Sequence, residues 1–291
     1  MSPLRRREFL IFVAPSALLM TALMIGPLVL TVYNGFQRVS YGDPGQFVGL
    51  ANYTSTLTDA RFLAAAGFTT LYTAGMTVGK IIVGYAMALM LNAVRPKARS
   101  FFLGLLLVPY VVPTVIGALV FSWLFNDTFG GLVNLLMQPL GFAPDWFTDP
   151  SAAKLLLVLH SIWHEAAFAI LVLLAALQGV PRERIEAAAI DGASWWQTQW
   201  RIVVPSMRGF LAFIALISIM DGFRVFDSIR MITPAASTVG TESLMVYVYN
   251  VALGETQQLG LASAINVITI VIILIFLVPF VRQTWQEMKT A

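Results

Sequence analysis

Six stretches of this chain, at residues 9–33, 68–92, 101–125, 153–178, 208–232 and 261–281, are each long and apolar enough to cross a bilayer. A helix needs about 20 such residues to span the hydrocarbon core. Only closed barrels and helices satisfy their own backbone polar groups there, so the runs predict an all-α integral membrane protein of six transmembrane helices. The composition supports this: 58% of residues are hydrophobic and 11% charged, with a mean hydropathy of +0.79. A water-facing surface needs far more charge than that.

The connecting segments, 42–59, 92–100, 126–150, 179–207 and 233–258, are too short to hold a separate domain, so residues 1–291 are expected to form a single transmembrane domain. Arg5, Arg6 and Arg7 before the first run superficially resemble a signal peptide. The run continues to Tyr33 with no A-x-A cleavage site, which predicts an uncleaved first span.

Charge sets the expected orientation. Arg5 to Arg7 place the N-terminus in the cytoplasm, and an even number of crossings returns Arg282 and Lys289 to that side. Arg95, Lys97 and Arg99 follow the second run, and Arg182, Arg184, Arg201 and Arg208 follow the fourth. The opposite loops carry Asp127, Asp145 and Asp149, or Glu242 and Glu255, and no Lys or Arg. This sidedness accounts for a pI near 9.3 without a nucleic-acid partner. Gly75, Gly79 and Gly84 on the second run read as helix-packing positions.

The segment 181–205, PRERIEAAAIDGASWWQTQWRIVVP, is too charged for lipid and too patterned for a tether. Pro181 suits a first helical turn, Arg184 to Asp191 favours helix, Gly192 suits a helix-ending turn, and Pro205 is expected to stop a second amphipathic stretch at Val203. Two short helices at the membrane surface follow, with a smooth alanine face at the bend. By these rules alone the segment is equally an interfacial hairpin packed on its own helices.

Glu186, Ala187 and Ala188, then Gly192, then Ile202, Val204 and Pro205, reproduce a known spacing. The segment resembles the EAA loop of ABC importer permeases, E-A-A-x3-G-x9-I-x-L-P, with Val204 in place of Leu. Further stretches, FVGLANYTSTLTDARF (47–62), LLLVPYVVPTVIGALVFSWLFN (105–126), ESLMVYVYNVAL (242–253) and GLASAINVI (260–268), are similar to the sugar-importing, maltose-type permeases, and to the first of their two unlike permease subunits. The chain departs from that family after Phe226 and Asp227, where Thr233, Pro234, Ala235 and Ala236 replace a Thr and a Gly-Gly-Pro turn.

The resemblance implies the type I ABC importer permease architecture, in a bacterial plasma (inner) membrane with both termini cytoplasmic. It makes 181–205 a coupling helix that docks on an ATPase through Glu186, Ala187, Ala188, Asp191, Gly192, Ile202 and Pro205. Implied partners are a second homologous permease, two copies of a cytoplasmic ATPase, an extracytoplasmic solute-binding protein reached through 41–61 and 126–150, and membrane lipid. This chain has no G-x4-G-K-[ST] motif to cradle phosphates, so ATP and Mg belong to the ATPase and no cofactor to this subunit.

Charged residues within spans are functional candidates because burying them in lipid is costly. They are Lys80 on the second run, read as snorkelling or pairing, His160, His164 and Glu165 on the fourth, and Asp221, Arg224 and Asp227 on the fifth. The last three, spaced i, i+3, i+6, share one helix face and can pair along it. The resemblance instead implies a bound sugar at His164, Glu165, Phe168, Asp221, Gly222 and Val225, with Arg224 beside them and Asp227 structural. Sugar hydroxyls suit Glu165 and Asp221, and a sugar's C–H face suits Phe168 or Phe223. Arg224 and His164 suit an anionic group, so a neutral oligosaccharide and a charged derivative both stand. A polyol or glycerol-phosphate importer and an ion-coupled carrier are the alternative transport readings. A membrane metalloenzyme built on His160, His164 and Glu165 lacks further ligands, for the chain has only two histidines and no cysteine.

Overall fold

The computed structural model describes residues 3–126, 131–141, 144–254 and 256–290, with side chains at 11–126, 131–139, 141, 144–254, 256–280 and 282. Asp127 and Glu255 lie outside the described residues, as do the side chains of Arg5, Arg6, Arg7 and Lys289. Among the described residues, four helices are long and apolar enough to cross a membrane, and two bent helix pairs, each counted as one span, raise the number of candidate spans to six. The residues group into two compact units, 1–63 with 247–272, and 64–246 with 273–291.

In the first unit, α1 (Pro3–Gly35) leads into a short antiparallel pair, β1 (Gln37–Arg38) and β2 (Gln46–Phe47), and then α2 (Ala51–Thr58). Asn52 ties this segment together, donating to the Gly35 and Gln37 carbonyls at 3.0 and 2.9 Å. Tyr247 donates to Asp59 at 2.5 Å, and Arg61 lies over its ring. Residues 41–61, expected as an open external loop, are thus a pinned hairpin and helix.

The second unit carries most of α3 (Ala60–Ala93), then α4 (Pro96–Val111), α5 (Thr114–Phe125), α6 (Leu132–Met137) and α7 (Pro150–Gln178). Asp149 caps α7, accepting from the Ser151 and Ala152 amides, with Pro150 at the first position. Beyond α7 come α8 (Arg182–Ile190), α9 (Trp195–Thr198), a π-turn at Gln199–Val203, α10 (Val204–Ser206), α11 (Arg208–Phe223), α12 (Asp227–Ile232) and α13 (Ala236–Val239). Next, α14 (Leu244–Tyr249) and α15 (Leu259–Thr290) each run across the division between the units.

Two expected spans are discontinuous. The stretch 101–125 is α4 and α5, bent by 96° at Val112–Pro113. Pro113 drives the preceding residue out of the helical region, and Val112 is extended. The stretch 208–232 is helical only to Phe223 and resumes at Asp227. No proline marks this second break, although Gly222, a poor helix former, falls just before it. The two breaks are neighbours, since α12 packs along α5, and α7 lies against α4, α5, α11 and α12.

Pro205 does not end the helix at Val203 as expected. Lacking an N–H to return to Arg201, it sits after a π-turn in which the Val204 amide reaches Gln199, and the chain bends by 68° into α11. Around Thr233, the departure from the family pattern is accommodated by Thr241, whose amide reaches the Ala236 carbonyl and whose hydroxyl reaches Thr233.

The glycines of α3 mark its approach to α7. A Cβ on Gly75 would touch Val158, one on Gly79 would meet Ile162, and one on Gly84 would strike Ala169 at 2.8 Å with backbone just behind. Replacing Gly84 with Val should therefore lower stability by roughly 1–3 kcal/mol. Gly67→Val on the same helix, where nothing lies within 4 Å, should be nearly neutral. Thermal unfolding of the two purified variants beside wild type checks this contrast.

Candidate functional site

Two apolar clusters fill the second unit and leave a polar layer between them. One gathers Tyr72 and Met76 of α3, Leu156 and Leu157 of α7, and Ile229 of α12. The other gathers Ala88 and Leu91 of α3, residues 166 to 177 of α7, and Ile214 of α11. Between them on α3 stands Lys80, and on α7 stand His160, Ser161, His164 and Glu165.

Lys80 is 3% exposed and meets Glu165 at 2.5 Å. The sequence reading of Lys80 as snorkelling or pairing therefore resolves to pairing. Thr69, Thr73 and Thr77 lie on the same buried stripe of α3 one and two turns apart. Tyr72 is hydrogen-bonded to Ser161, and because Ser161 donates its own proton to the Leu157 carbonyl, Tyr72 is the donor of the pair.

His164 closes the break in the third span. Its Nε2 lies 2.9 Å from the Val112 carbonyl, and a carbonyl only accepts, so the proton is on Nε2. Gly117 of α5 packs here as well: a Cβ on it would be in ordinary contact with both imidazoles at 3.5 Å and tight against Trp163 at 3.2 Å. His160 is 1% exposed and edge-on to Phe121, and neither of its ring nitrogens has a hydrogen-bond partner among the described residues.

Two cavities open on this layer. One, of about 190 Å³, is lined by Tyr72, Thr114, His160, His164, Glu165, Asp221, Arg224, Val225 and Asp227. The other, of about 410 Å³, is lined by Lys80, Tyr110, His164, Glu165, Phe168, Ile217 and Asp221. His164, Glu165 and Asp221 belong to both. Of the expected contacts, His164, Glu165, Phe168, Asp221, Arg224 and Val225 are thus brought together.

Gly222 and Phe223 are not. A Cβ on Gly222 would meet Thr73 Oγ1 at 2.5 Å, and Phe223 is 1% exposed against Phe276. Gly222 is a close-packing position, and Phe223 is no platform for a ligand. The alternative reading of Asp221, Arg224 and Asp227 as a ladder paired along one helix face is not what the structure has. The helix stops at Phe223, where the Arg224 amide still reaches the Asp221 carbonyl at 3.1 Å, but among the described residues no side-chain ion pair or side-chain hydrogen bond joins the three, which are all exposed. Sequence reasoning missed Tyr72, Tyr110 and Thr114; Pro113 was a signal for the last two, which flank the break and line the cavities, and Tyr72 on α3 had none.

The segment after α7 is a pair of capped helices. The Ala193 amide reaches back to Ala188 and the Gly192 amide to Ala189, with Gly192 at φ 75°: a Schellman turn that only glycine enters without strain. Ser194 and Gln197 form a reciprocal capping box at the next helix. Ala188 is buried, whereas Glu186, Ala187, Ile190 and Asp191 are exposed. Ile202 is half-buried and Pro205 exposed.

Residues 80–287 match the family model of the binding-protein-dependent transport system inner membrane component. The chain belongs to this family. It is 30% identical over 277 residues to the trehalose/maltose transport system permease protein MalF of Thermococcus litoralis, covering 94% of this chain and 92% of that one. It is 30% identical to the arabinooligosaccharides transport system permease protein AraP of Bacillus subtilis, over 91% of this chain and 84% of that one. In fold it matches the crystal structure of a bacterial ABC transporter that imports the acidic polysaccharide alginate, with a TM-score of 0.80 and 21% identity over 97% of this chain and 96% of that one. The permease is therefore a multi-pass membrane protein of the type I importer architecture, and the relatives it matches are permease subunits of transport systems.

Removing one member of a buried ion pair strands the other. Glu165→Ala should lower the stability of the permease by about 3 kcal/mol, and Lys80→Met combined with Glu165→Leu should recover most of the loss. Unfolding midpoints of the single and double variants measure this.

Proposed function

We propose that this chain is one transmembrane subunit, the first of two unlike permeases, of an ATP-driven importer for a sugar or oligosaccharide. The observation that carries the reading is the pair of cavities inside the spans, lined by carboxylates, hydroxyls and aromatic rings, in a chain whose relatives are named for trehalose, maltose and arabinooligosaccharides. A further solved alginate importer holds a periplasmic protein bound to an alginate pentasaccharide, which supports a solute-binding protein as the donor outside.

Asp227, expected to be structural, is exposed and lines the same cavity as Asp221; both accept sugar hydroxyls, Thr114 and Tyr110 donate or accept, and Phe168 offers a face for C–H groups. Lys80 is occupied by Glu165 and His164 by the Val112 carbonyl. Two carboxylates then face one guanidinium, Arg224, across the cavity. That balance favours a neutral oligosaccharide over an anionic derivative.

The exposed α8 and its Gly192 turn dock on a cytoplasmic ATPase, two copies of which bind ATP and Mg beneath this subunit and its homologous partner. Closure of the ATPases moves α8. Because α9 and α10 continue from the capped turn into α11, the movement reaches the helix that carries Asp221, and the pathway switches by rigid-body rotation. Both termini lie in the cytoplasm, in accord with the arginines flanking the spans.

A tagged chain purified in mild detergent should bring down a second permease and an ATPase. Glu186→Lys and Gly192→Asp should lose the ATPase and keep the permease, whereas a chain that purifies alone would overturn the reading. Asp221→Asn should cut the uptake efficiency of a neutral oligosaccharide by roughly tenfold or more, as expected for one hydrogen bond to a charged acceptor, with the complex intact. Unchanged uptake would remove Asp221 from the sugar site.

A further inference from the structure

The two halves of the segment after α7 differ in what they expose. The first presents Glu183, Glu186, Ala187 and arginines. The second presents Trp195, Trp196 and Trp200 at 53%, 65% and 65% exposure, far more aromatic surface than a water-facing helix of this length carries without a partner.

The orientation of the second half follows from its neighbours. Gln199 accepts a hydrogen bond from Tyr85 of α3 at 2.6 Å, Val203 is buried in the apolar cluster with Met207, and Thr198 is buried beside them. That face is fixed to the protein, so Trp196 and Trp200, one turn apart, point away from it. Trp195 packs edge-on against Trp196 at 4.7 Å. The run Trp195–Ser206 makes an angle of 68° with α11. With α11 as the membrane-crossing arm of this bent pair, the run lies closer to the membrane plane than to its normal. Arg201, exposed beside Trp200, supplies positive charge at the same level.

We propose that Trp196 and Trp200, braced by Trp195, seat in the boundary between lipid headgroups and acyl chains, with Arg201 toward lipid phosphate. Indole rings favour this layer because their N–H stays wet while the ring is buried, and in-plane amphipathic helices with cationic flanks bind there. The lipid is the occupant rather than the ATPase, because the tryptophan face lies at the foot of a span while the alanine-rich α8, with two arginines and two glutamates, lies beyond the Gly192 turn. The seat rests on α11 being a span and not on the transport reading. It therefore holds for the chain alone in a bilayer.

The sequence contains no cysteine, so Trp196→Cys, Trp200→Cys and Ala187→Cys each give a unique site for a nitroxide label. In reconstituted bilayers, with and without the co-purifying partners, collision with dissolved oxygen and with a water-soluble nickel chelate is measured. At 196 and 200 the oxygen-to-nickel ratio should be several-fold higher than at 187, and unchanged by partners. A ratio equal to that at 187 would place the tryptophans in water, and loss of both collisions on assembly would place them against protein; either overturns the proposal. For the unlabelled protein, Trp196→Phe and Trp200→Phe should each reduce the fluorescence quenched by lipids brominated near the headgroup. Undiminished quenching would overturn the proposal as well.

Discussion

A carbonyl oxygen without a partner is a costly thing for a helix break to leave inside a bilayer. The Val112 oxygen escapes that state through the imidazole of His164. The arrangement of the polar layer depends on this contact. Pro113 bends α4 from α5, His164 takes up the carbonyl this leaves, and Gly117 lets α5 lie close against Trp163. The second break, at Arg224 to Phe226, falls beside the first because α12 packs along α5. Irregular backbone at membrane depth is tolerated where it lines a cavity, and both breaks border the same one.

The polar layer survives because it is held between two apolar clusters. Each is built from α3 and α7 side chains at different heights, so both helices are clamped above and below the charges. The clamp lets Lys80 remain almost fully buried, since Glu165 is held at the same level on the facing helix. Asp221, Arg224 and Asp227 line the cavity with no side-chain pairing among themselves.

Much of this could be read in the sequence, for reasons that differ by residue. The spans were legible because hydrocarbon thickness demands a run of apolar residues whatever the packing. The turn at Gly192 was legible because a positive φ selects glycine and the flanking residues favour helix. The break at Pro113 had its signal, but a run of valines and leucines reads equally well as one span or two. The break after Phe223 had almost none. Lys80 and Glu165 were visible as charges in lipid, whereas their pairing spans 85 residues of chain and leaves no local mark. Gly222 and Phe223 fell among the expected contacts because Asp221 did, although neighbours on a helix point about 100° apart. Helical register alone would have separated them.

The separation of Lys80 from Glu165 along the chain also bears on how the protein is made. A ribosome adding about 5–20 residues per second completes Lys80 some seconds before Glu165, which lies 85 positions later. During that interval α3 carries an unneutralised ammonium that costs about 2.5–3.5 kcal/mol at the centre of an inserting helix. The run of apolar residues on either side must offset this cost for α3 to enter the bilayer first. Otherwise α3 must wait beside the insertion machinery until α7 emerges with its carboxylate, so that membrane entry of the two helices becomes a single event.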